Sequence, residues 1–169
     1  MNGSTPWAAV LPDYRCFGCS PHNQHGLRLE FHRVGETLEC RFTLDRRFES
    51  YPGMVHGGIT GTICDEVMGN LIVMRDGRSA FTTGIRLRYL APLFIDRPYL
   101  CVARAHQAGE SRYDASAEVL DEAGDLLVTA AGSFMPVDMD RAREFMDLTD
   151  DESESVLAAL VETNRQNGA

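Results

Sequence analysis

The sequence predicts an α+β fold in which one long, buried helix is wrapped by an antiparallel sheet of about six strands. Two observations carry this prediction. The apolar segment 59–74 repeats its large side chains at helical spacing, whereas the stretches before and after it alternate apolar and polar residues as strands do. Short turns separate these stretches, so neighbouring strands are expected to run antiparallel.

Two strands are expected before the helix. Apolar residues alternate with polar ones from Leu27 to Phe31, and again from Leu38 to Phe42 after a turn at Gly35. Four more strands are predicted after a break at Gly77, over residues 85–89, 99–106, 112–120 and 126–137.

The helix is predicted from apolar residues spaced by four, four, four and three: Ile59, Ile63, Val67, Leu71 and Met74. Its neighbouring face is apolar too, which indicates burial on most sides. Asp65 and Glu66 nevertheless stand side by side in its middle. Burying a carboxylate is costly unless it is paired or hydrated, so a buried acid is usually retained for catalysis or binding. This position therefore indicates a functional acid.

Gly57 and Gly58, just before this helix, follow His56. The first N–H groups of a helix have no partner within the helix and lie at the positive end of its dipole. Glycines let a ligand approach these donors closely, so a pocket for a polarised carbonyl is expected there. Asp65 lies nine residues beyond His56, about 13 Å along a helix, too far for both to act on one carbonyl unless another segment or subunit joins them.

Composition indicates a single domain without a membrane span. The 169 residues carry a net charge of −9 and five cysteines, and all sixteen basic residues are arginine. The missing lysine excludes Schiff-base and phosphate-loop lysine chemistry, and the acidity argues against nucleic acid as a partner. No signal peptide is recognisable at the N-terminus, so a cytoplasmic location with reduced thiols is expected.

The motifs of the chain resemble those of the hotdog-fold acyl-CoA thioesterases of the 4-hydroxybenzoyl-CoA and phenylacetate-degradation type. The resemblance rests on His56-Gly57-Gly58 with Asp65 nine residues after the histidine, on Cys16-Phe17-Gly18-Cys19, on His25-Gly26-Leu27, on Tyr51-Pro52-Gly53, and on Arg88-Tyr89-Leu90-Ala91-Pro92. It spans about residues 15 to 137.

The resemblance implies a hotdog domain over residues 15–137, with an N-terminal extension over 1–14 and an acidic helical tail over 138–169. The tail contains a capping-box pattern, Thr149 to Glu152, before an apolar stripe. The implied activity is hydrolysis of an acyl-CoA to free acid and CoA. The implied assembly is a homodimer or a dimer of dimers, with each active site at a subunit interface.

The resemblance also implies roles for particular residues. Asp65 would be the general base or the nucleophile, and the Gly57 N–H would polarise the thioester carbonyl. His56 would shape the turn at the thioester-binding end, although its chemistry would also suit a general base. Counting back seven residues from Tyr89, as the motif implies, selects Thr82 to hold the attacking water or the nucleophile, with its neighbour Thr83 as the second choice. Only one of them can do so, because strand neighbours face opposite sides.

Two further residues near the predicted site are less well defined. Several relatives carry an asparagine six residues before the histidine, where this chain has Ser50, which can donate a hydrogen bond over a shorter reach. Glu66 points about 100° around the helix from Asp65, so a structural partner for an arginine is favoured over a second catalytic acid.

CoA carries phosphates, so a local group of arginines is expected. Arg86 and Arg88 share one strand face and are the main candidates, together with Arg46, Arg47 or Arg78. CoA belongs to the substrate, and no separate cofactor is expected.

Two other function classes remain open. A hotdog hydratase or dehydratase would use a His–Asp pair on an acyl thioester without releasing a thiol. A non-catalytic acyl-CoA-binding module would keep the pocket without the chemistry, which the intact Asp65 disfavours.

A metal site is the main rival interpretation for the N-terminal motif. Cys16, Cys19, His22 and His25 are residue types that bind zinc. All four lie within ten residues, however, whereas structural zinc sites usually draw ligands from two separated pairs. A tight turn that caps the first strand, without metal, is therefore the prediction.

Overall fold

A six-stranded antiparallel sheet and one long helix form the body of the protein. The structure is a computed structural model that describes residues 5–109 and 111–167. The strands are β1 His32–Val34, β2 Thr37–Thr43, β3 Ser79–Tyr89, β4 Pro98–Gln107, β5 Tyr113–Leu120 and β6 Leu126–Val137. The helices are α1 Pro6–Val10, α2 Gly57–Asp76, α3 Met139–Ala142 and α4 Asp150–Asn167, and a 3-10 turn spans Arg46–Phe48. The predicted fold, a central helix wrapped by six strands, is confirmed.

The sheet order is β1-β2-β4-β5-β6-β3, and every neighbouring pair is antiparallel. The strand that follows α2 therefore lies at an edge, paired only with β6 among the described strands. Its register with β6 shifts between Thr82 and Gly84, which marks a bulge. From Thr82 to Arg86 this edge strand is exposed.

Helix α2 begins at Gly57, two residues before the predicted start at Ile59, and it ends at the predicted break before Gly77. His56 caps the N-terminus, and Gly77 closes the C-terminus in the left-handed conformation (φ 61°) that glycine adopts without steric cost. Ile63, Val67 and Leu71 are fully buried against the sheet. The helix is thus the centre of the core, and its position fixes Asp65.

The first predicted strand is shorter than expected. Leu29 and Phe31 are buried as their alternation predicts, but only residues from His32 onward pair with β2. The N–H groups of Leu27 and Leu29 instead donate to the carbonyls of Phe17 and Gly18. The chain before β1 is therefore held by the N-terminal turn, and the left-handed Arg28 (φ 51°) departs from strand geometry.

The C-terminal tail packs on the domain. Thr149 and Glu152 form the predicted capping box, with reciprocal bonds of 2.9 and 3.3 Å between backbone N–H groups and side chains. Val156 and Leu160 are buried beside α1 and the end of α2, whereas Leu157 is exposed. Within residues 5–109 and 111–167, no helix has both the length and the apolar character needed to cross a membrane.

Candidate active site

Asp65 and Thr82 are brought together by the packing of α2 on β3. The Thr82 hydroxyl donates a 2.8 Å hydrogen bond to Oδ1 of Asp65. The neighbouring hydroxyl, that of Thr83, donates instead to the Ser133 carbonyl at 2.9 Å. The geometry thus selects Thr82 of the two threonines as the partner of the helix carboxylate.

The environment of Asp65 favours its protonated form more than water does. Burial raises the pKa of this carboxyl group above its usual range, and the hydrogen bond from Thr82 partly opposes the shift. The carboxyl group is half-buried rather than sealed, because Thr82 is exposed at the sheet edge. A carboxylate with a raised pKa and access to solvent has the properties of a general base.

Glu66 points to a different side of the helix. Its Oε1 accepts from the Cys16 thiol at 3.3 Å, and its Oε2 accepts from the Asn70 amide at 3.2 Å. The prediction that Glu66 pairs with an arginine is therefore wrong. The fold places the N-terminal turn against this carboxylate, where the prediction expected a basic side chain. The position also keeps Glu66 away from the Asp65–Thr82 pair.

The start of α2 presents one free backbone donor. Nδ1 of His56 accepts the Gly58 N–H at 2.9 Å, so the cap occupies that donor. Among the described residues the Gly57 N–H has no hydrogen-bond partner, and the Gly57 carbonyl accepts from the Tyr89 hydroxyl at 2.6 Å. The pair of glycine donors expected from the sequence is thus reduced to one.

The role of His56 follows from the same contact. Because Nδ1 accepts a hydrogen bond, the proton of the neutral imidazole lies on Nε2. His56 therefore acts as a helix cap in this structure, in agreement with the shaping role that the resemblance implies.

A cavity of about 420 Å³ opens beside this helix end. Gly57 and Ser50 both line it, together with Tyr51, Tyr89 and Leu90. Ser50 thus lies in the same cavity as the free N–H, where its hydroxyl can contact a ligand. The cavity walls are mostly apolar, as ligand pockets usually are.

Asp65 and the Gly57 donor are far apart within one chain. Eight residues of continuous helix separate them, which is about 12 Å along the axis. No segment among the described residues folds the two together. Within one chain, the Gly57 N–H and the Asp65 carboxylate therefore cannot contact the same carbonyl group.

The arginines form no single group beside Asp65. Arg86 and Arg88 lie on the outer face of the sheet, since Leu87 between them packs towards Gly61 of α2. Arg86 lines an outer cavity of about 640 Å³ with Arg104 and Arg112. The other candidates lie elsewhere: Arg46 and Arg47 pair with Glu49 and Asp45, and Arg78 follows the end of the helix.

Two further contacts shape the site, and the sequence carries a signal for only one of them. Tyr89 fixes the Gly57 carbonyl, and Asn70 fixes the Glu66 carboxylate. The spacing of Glu66 and Asn70, one helical turn, is a signal for such a pair. Nothing in the sequence pairs Tyr89 with a glycine 32 residues away.

The described geometry, a long helix whose N-terminus and mid-helix carboxylate face a curved antiparallel sheet, defines a hotdog fold. Residues 52–128 match the family model of the thioesterase superfamily. The fold and this match confirm the resemblance to hotdog-fold thioesterases drawn from the sequence. No curated protein matches the chain.

Three solved structures have a similar fold. A thioesterase superfamily protein superposes with a TM-score of 0.66 at 19% identity, covering 71% of this chain and 59% of that protein, so the chain spans less than two thirds of its length. A phenylacetic acid degradation-related protein from Ralstonia eutropha JMP134 superposes with a TM-score of 0.58 at 25% identity, covering 64% of this chain and 85% of that protein. A hypothetical thioesterase from Streptococcus pneumoniae TIGR4, solved with coenzyme A, gives 0.60 at 16% identity, covering 64% and 88%.

Proposed function

We propose that this protein hydrolyses an acyl-CoA thioester to the free acid and CoA. The superfamily match supports thioester hydrolysis in general. The observation that carries the finer proposal is the Asp65–Thr82 pair, a half-buried carboxylate held at 2.8 Å by a hydroxyl at an open sheet edge.

Asp65 supplies the reacting oxygen or activates water. Thr82 holds Oδ1, which orients the carboxylate. Oδ2 is then the oxygen that would contact the substrate or a water molecule in this proposal. As a general base, Asp65 removes a proton from water as the water attacks the thioester carbonyl. As a nucleophile, it attacks the same carbon and forms an anhydride that water then hydrolyses. Both routes expel the CoA thiolate and use the same geometry.

The Gly57 N–H polarises the thioester carbonyl. Negative charge develops on that oxygen as the tetrahedral intermediate forms, and a preorganised N–H donor stabilises it. The donor lies at the positive end of the α2 dipole, and its residue lines the same cavity as Ser50. His56 and Tyr89 hold the turn around it through Gly58 and the Gly57 carbonyl.

A complete site needs two subunits in this proposal. The gap of about 12 Å between Gly57 and Asp65 is too long for one carbonyl to contact both. A second copy placed along the exposed β3 edge would supply Asp65 to the Gly57 half-site of the first, and two-fold symmetry would repeat the arrangement. The proposed assembly is a homodimer or a dimer of dimers.

The CoA portion of the substrate carries the phosphates. The relative from Streptococcus pneumoniae solved with coenzyme A supports this ligand class for the fold. Arg86 and Arg88, on the exposed strand next to the proposed interface, are the side chains we propose for the phosphates. Guanidinium groups bind phosphate oxygens in pairs of hydrogen bonds.

A thiol-release assay over short, long and aromatic acyl-CoAs tests the proposal. We expect release of free CoA from at least one class, and a fall in kcat of about 10²-fold or more for Asp65→Asn, which keeps the shape but not the basicity. The far-UV circular dichroism and melting temperature of the variant serve as controls for folding. Near wild-type thiol release by this variant would remove Asp65 from the mechanism. Turnover of an acyl thioester without thiol release would favour the hydratase class, and tight binding without turnover a binding module.

A further inference from the structure

The N-terminal turn from Cys16 to Cys19 packs against the middle of α2. Cys16 and Cys19 approach Glu66, and the two sulfur atoms and a carboxylate oxygen all lie within 4.8 Å of one another. Residue 66 is fifty positions away from Cys16. The group therefore joins two distant parts of the chain, which the spacing of the cysteines and histidines alone does not reveal.

The turn is built for this close approach. A Cβ atom on Gly18 would overlap Cγ and Cδ of Glu66, so a larger residue at position 18 would displace the Glu66 side chain from the turn. The carbonyls of Phe17 and Gly18 accept from the N–H groups of Leu27 and Leu29, which hold the turn from the other side. The backbone of the turn that carries Cys16 and Cys19 is thus held in place on both sides.

The three side chains are potential metal ligands without a basic partner. No arginine contacts Cys16, Cys19 or Glu66 among residues 5–109 and 111–167. Two cysteine sulfur atoms and a carboxylate oxygen that converge in this way form a ligand set that suits a soft divalent cation.

We propose that Cys16, Cys19 and Glu66 bind a zinc ion. Two thiolates and one carboxylate are accepted zinc ligands, with Zn–S distances of about 2.3 Å and Zn–O distances of about 2.0–2.2 Å, so atoms within 4.8 Å of one another can surround one ion. Water completes the tetrahedron. The Asn70 amide, which donates to Oε2 of Glu66, orients the carboxylate ligand from behind, as partners of metal ligands commonly do.

The histidines of the sequence motif are not ligands in this proposal. His22 and His25 are exposed, and neither belongs to the group of donor atoms around Cys16 in the part of the chain that the structure describes. The backbone of His25 instead donates to the Asn23 side chain, which shapes the loop. The zinc set thus differs from the Cys-Cys-His-His set that the motif suggests.

Such an ion would tie the N-terminal turn to α2 one residue after Asp65. Since zinc binds the folded ligand set and not the unfolded chain, its binding energy adds to folding. This proposal does not rest on thioester hydrolysis, and its tests read metal content and stability rather than turnover.

The test uses the full chain, purified under reducing conditions without chelator. We expect one zinc per chain by elemental analysis and a lower melting temperature after chelation that is restored by zinc alone. Cobalt replacing zinc should give the charge-transfer absorption of thiolate ligands. Glu66→Gln, which keeps the shape, should weaken zinc affinity by at least about 10-fold. Cys16→Ser should lose stoichiometric zinc.

The matched control is the double variant His22→Gln with His25→Gln, which should bind zinc as tightly as the wild type. Loss of zinc in this control would overturn the proposed ligand set in favour of the sequence motif. Reduced wild-type protein that takes up no zinc on titration would overturn the site altogether. A Cys16–Cys19 disulfide that forms equally fast with and without added zinc would likewise contradict metal binding and indicate a redox pair.

Discussion

At the residue scale, the chemistry of the site depends on one hydroxyl. Thr82 donates to Asp65, while the adjacent Thr83 is occupied by the backbone of β6. Burial raises the pKa of Asp65 and the Thr82 hydrogen bond lowers it, so the hydroxyl keeps more of the carboxylate in its basic form. A base with a raised pKa loses activity as the pH falls through that value.

We therefore expect kcat/KM to decrease with falling pH around a pKa that is above the usual range for aspartate. Thr82→Val removes the bond that lowers the pKa, so this decrease should move to higher pH, and kcat should fall by about 10-fold as the carboxylate loses its orientation. Thr83→Val is the matched control and should leave both the position of this decrease and kcat close to wild type. An unchanged profile for Thr82→Val would show that the hydroxyl does not tune the reacting group.

At the element scale, the N-terminus of α2 isolates a single donor. Gly57 occupies the first helical position, where proline is well tolerated because its missing N–H has no partner in the helix. The preceding His56, at φ −65° and ψ 128°, has the extended conformation that a following proline requires. Proline can thus replace this glycine with little change to the helix.

Gly57→Pro should lower kcat by about 10²–10³-fold, the usual effect of removing one oxyanion donor. Gly57→Ala is the control, because it adds a Cβ at the same place, 3.3 Å from the Tyr89 hydroxyl, and keeps the N–H. We expect it to retain much more activity than the proline variant. Equal losses in the two variants would attribute the effect to crowding at Tyr89 and not to the donor.

The C-terminal helix offers a test of packing at the same scale. Leu160 is 2% exposed and Leu157 is 47% exposed on one helix, so the same substitution probes burial alone. Leu160→Ala should reduce the free energy of unfolding by about 2–4 kcal/mol, whereas Leu157→Ala should change it by less than about 0.5 kcal/mol. Urea denaturation measures both. A large effect of Leu157→Ala would indicate that its exposed face is covered by another copy of the chain.

At the scale of the whole molecule, the proposed site requires an assembly, because Gly57 and Asp65 lie too far apart in one chain to act on the same carbonyl. The exposed edge strand β3 carries Thr82 on one side of the bulge, and Ile85 and Tyr89 beyond it are also exposed. An uncovered edge of this length is unusual in an isolated domain because it offers unpaired backbone groups to another chain. Pairing of two copies along this edge would satisfy them.

We expect a dimer or a dimer of dimers by sedimentation equilibrium, and complementation between two inactive variants. An Asp65→Asn subunit still offers its Gly57 donor, and a Gly57→Pro subunit still offers its Asp65. In the mixed dimer one of the two sites is therefore intact, and exchange of subunits should restore a measurable fraction of wild-type activity. A fully active monomer, or no restoration after exchange is demonstrated by mass spectrometry, would contradict the shared site.

Local patterns in the sequence were enough to predict most secondary-structure elements and the candidate site residues. Helical spacing located α2, alternation located most strands, and the turn at Gly77 and the capping box at Thr149 stand where composition predicts them. These features follow from local rules of periodicity and capping. The family motif located Asp65 and selected Thr82, whose hydroxyl does contact Asp65, whereas strand propensity alone gave Thr82 and Thr83 equal standing.

Which side chains contact each other depends on the tertiary structure. The packing of β3 on α2 places the Thr82 hydroxyl against Asp65, and the N-terminal turn places Cys16, in place of the expected arginine, against Glu66. Backbone hydrogen bonds to the same turn also explain why residues 27–31 do not form the predicted strand. Such contacts join residues 17 to 50 positions apart, and their partners depend on how whole elements pack, which no local pattern of the chain encodes.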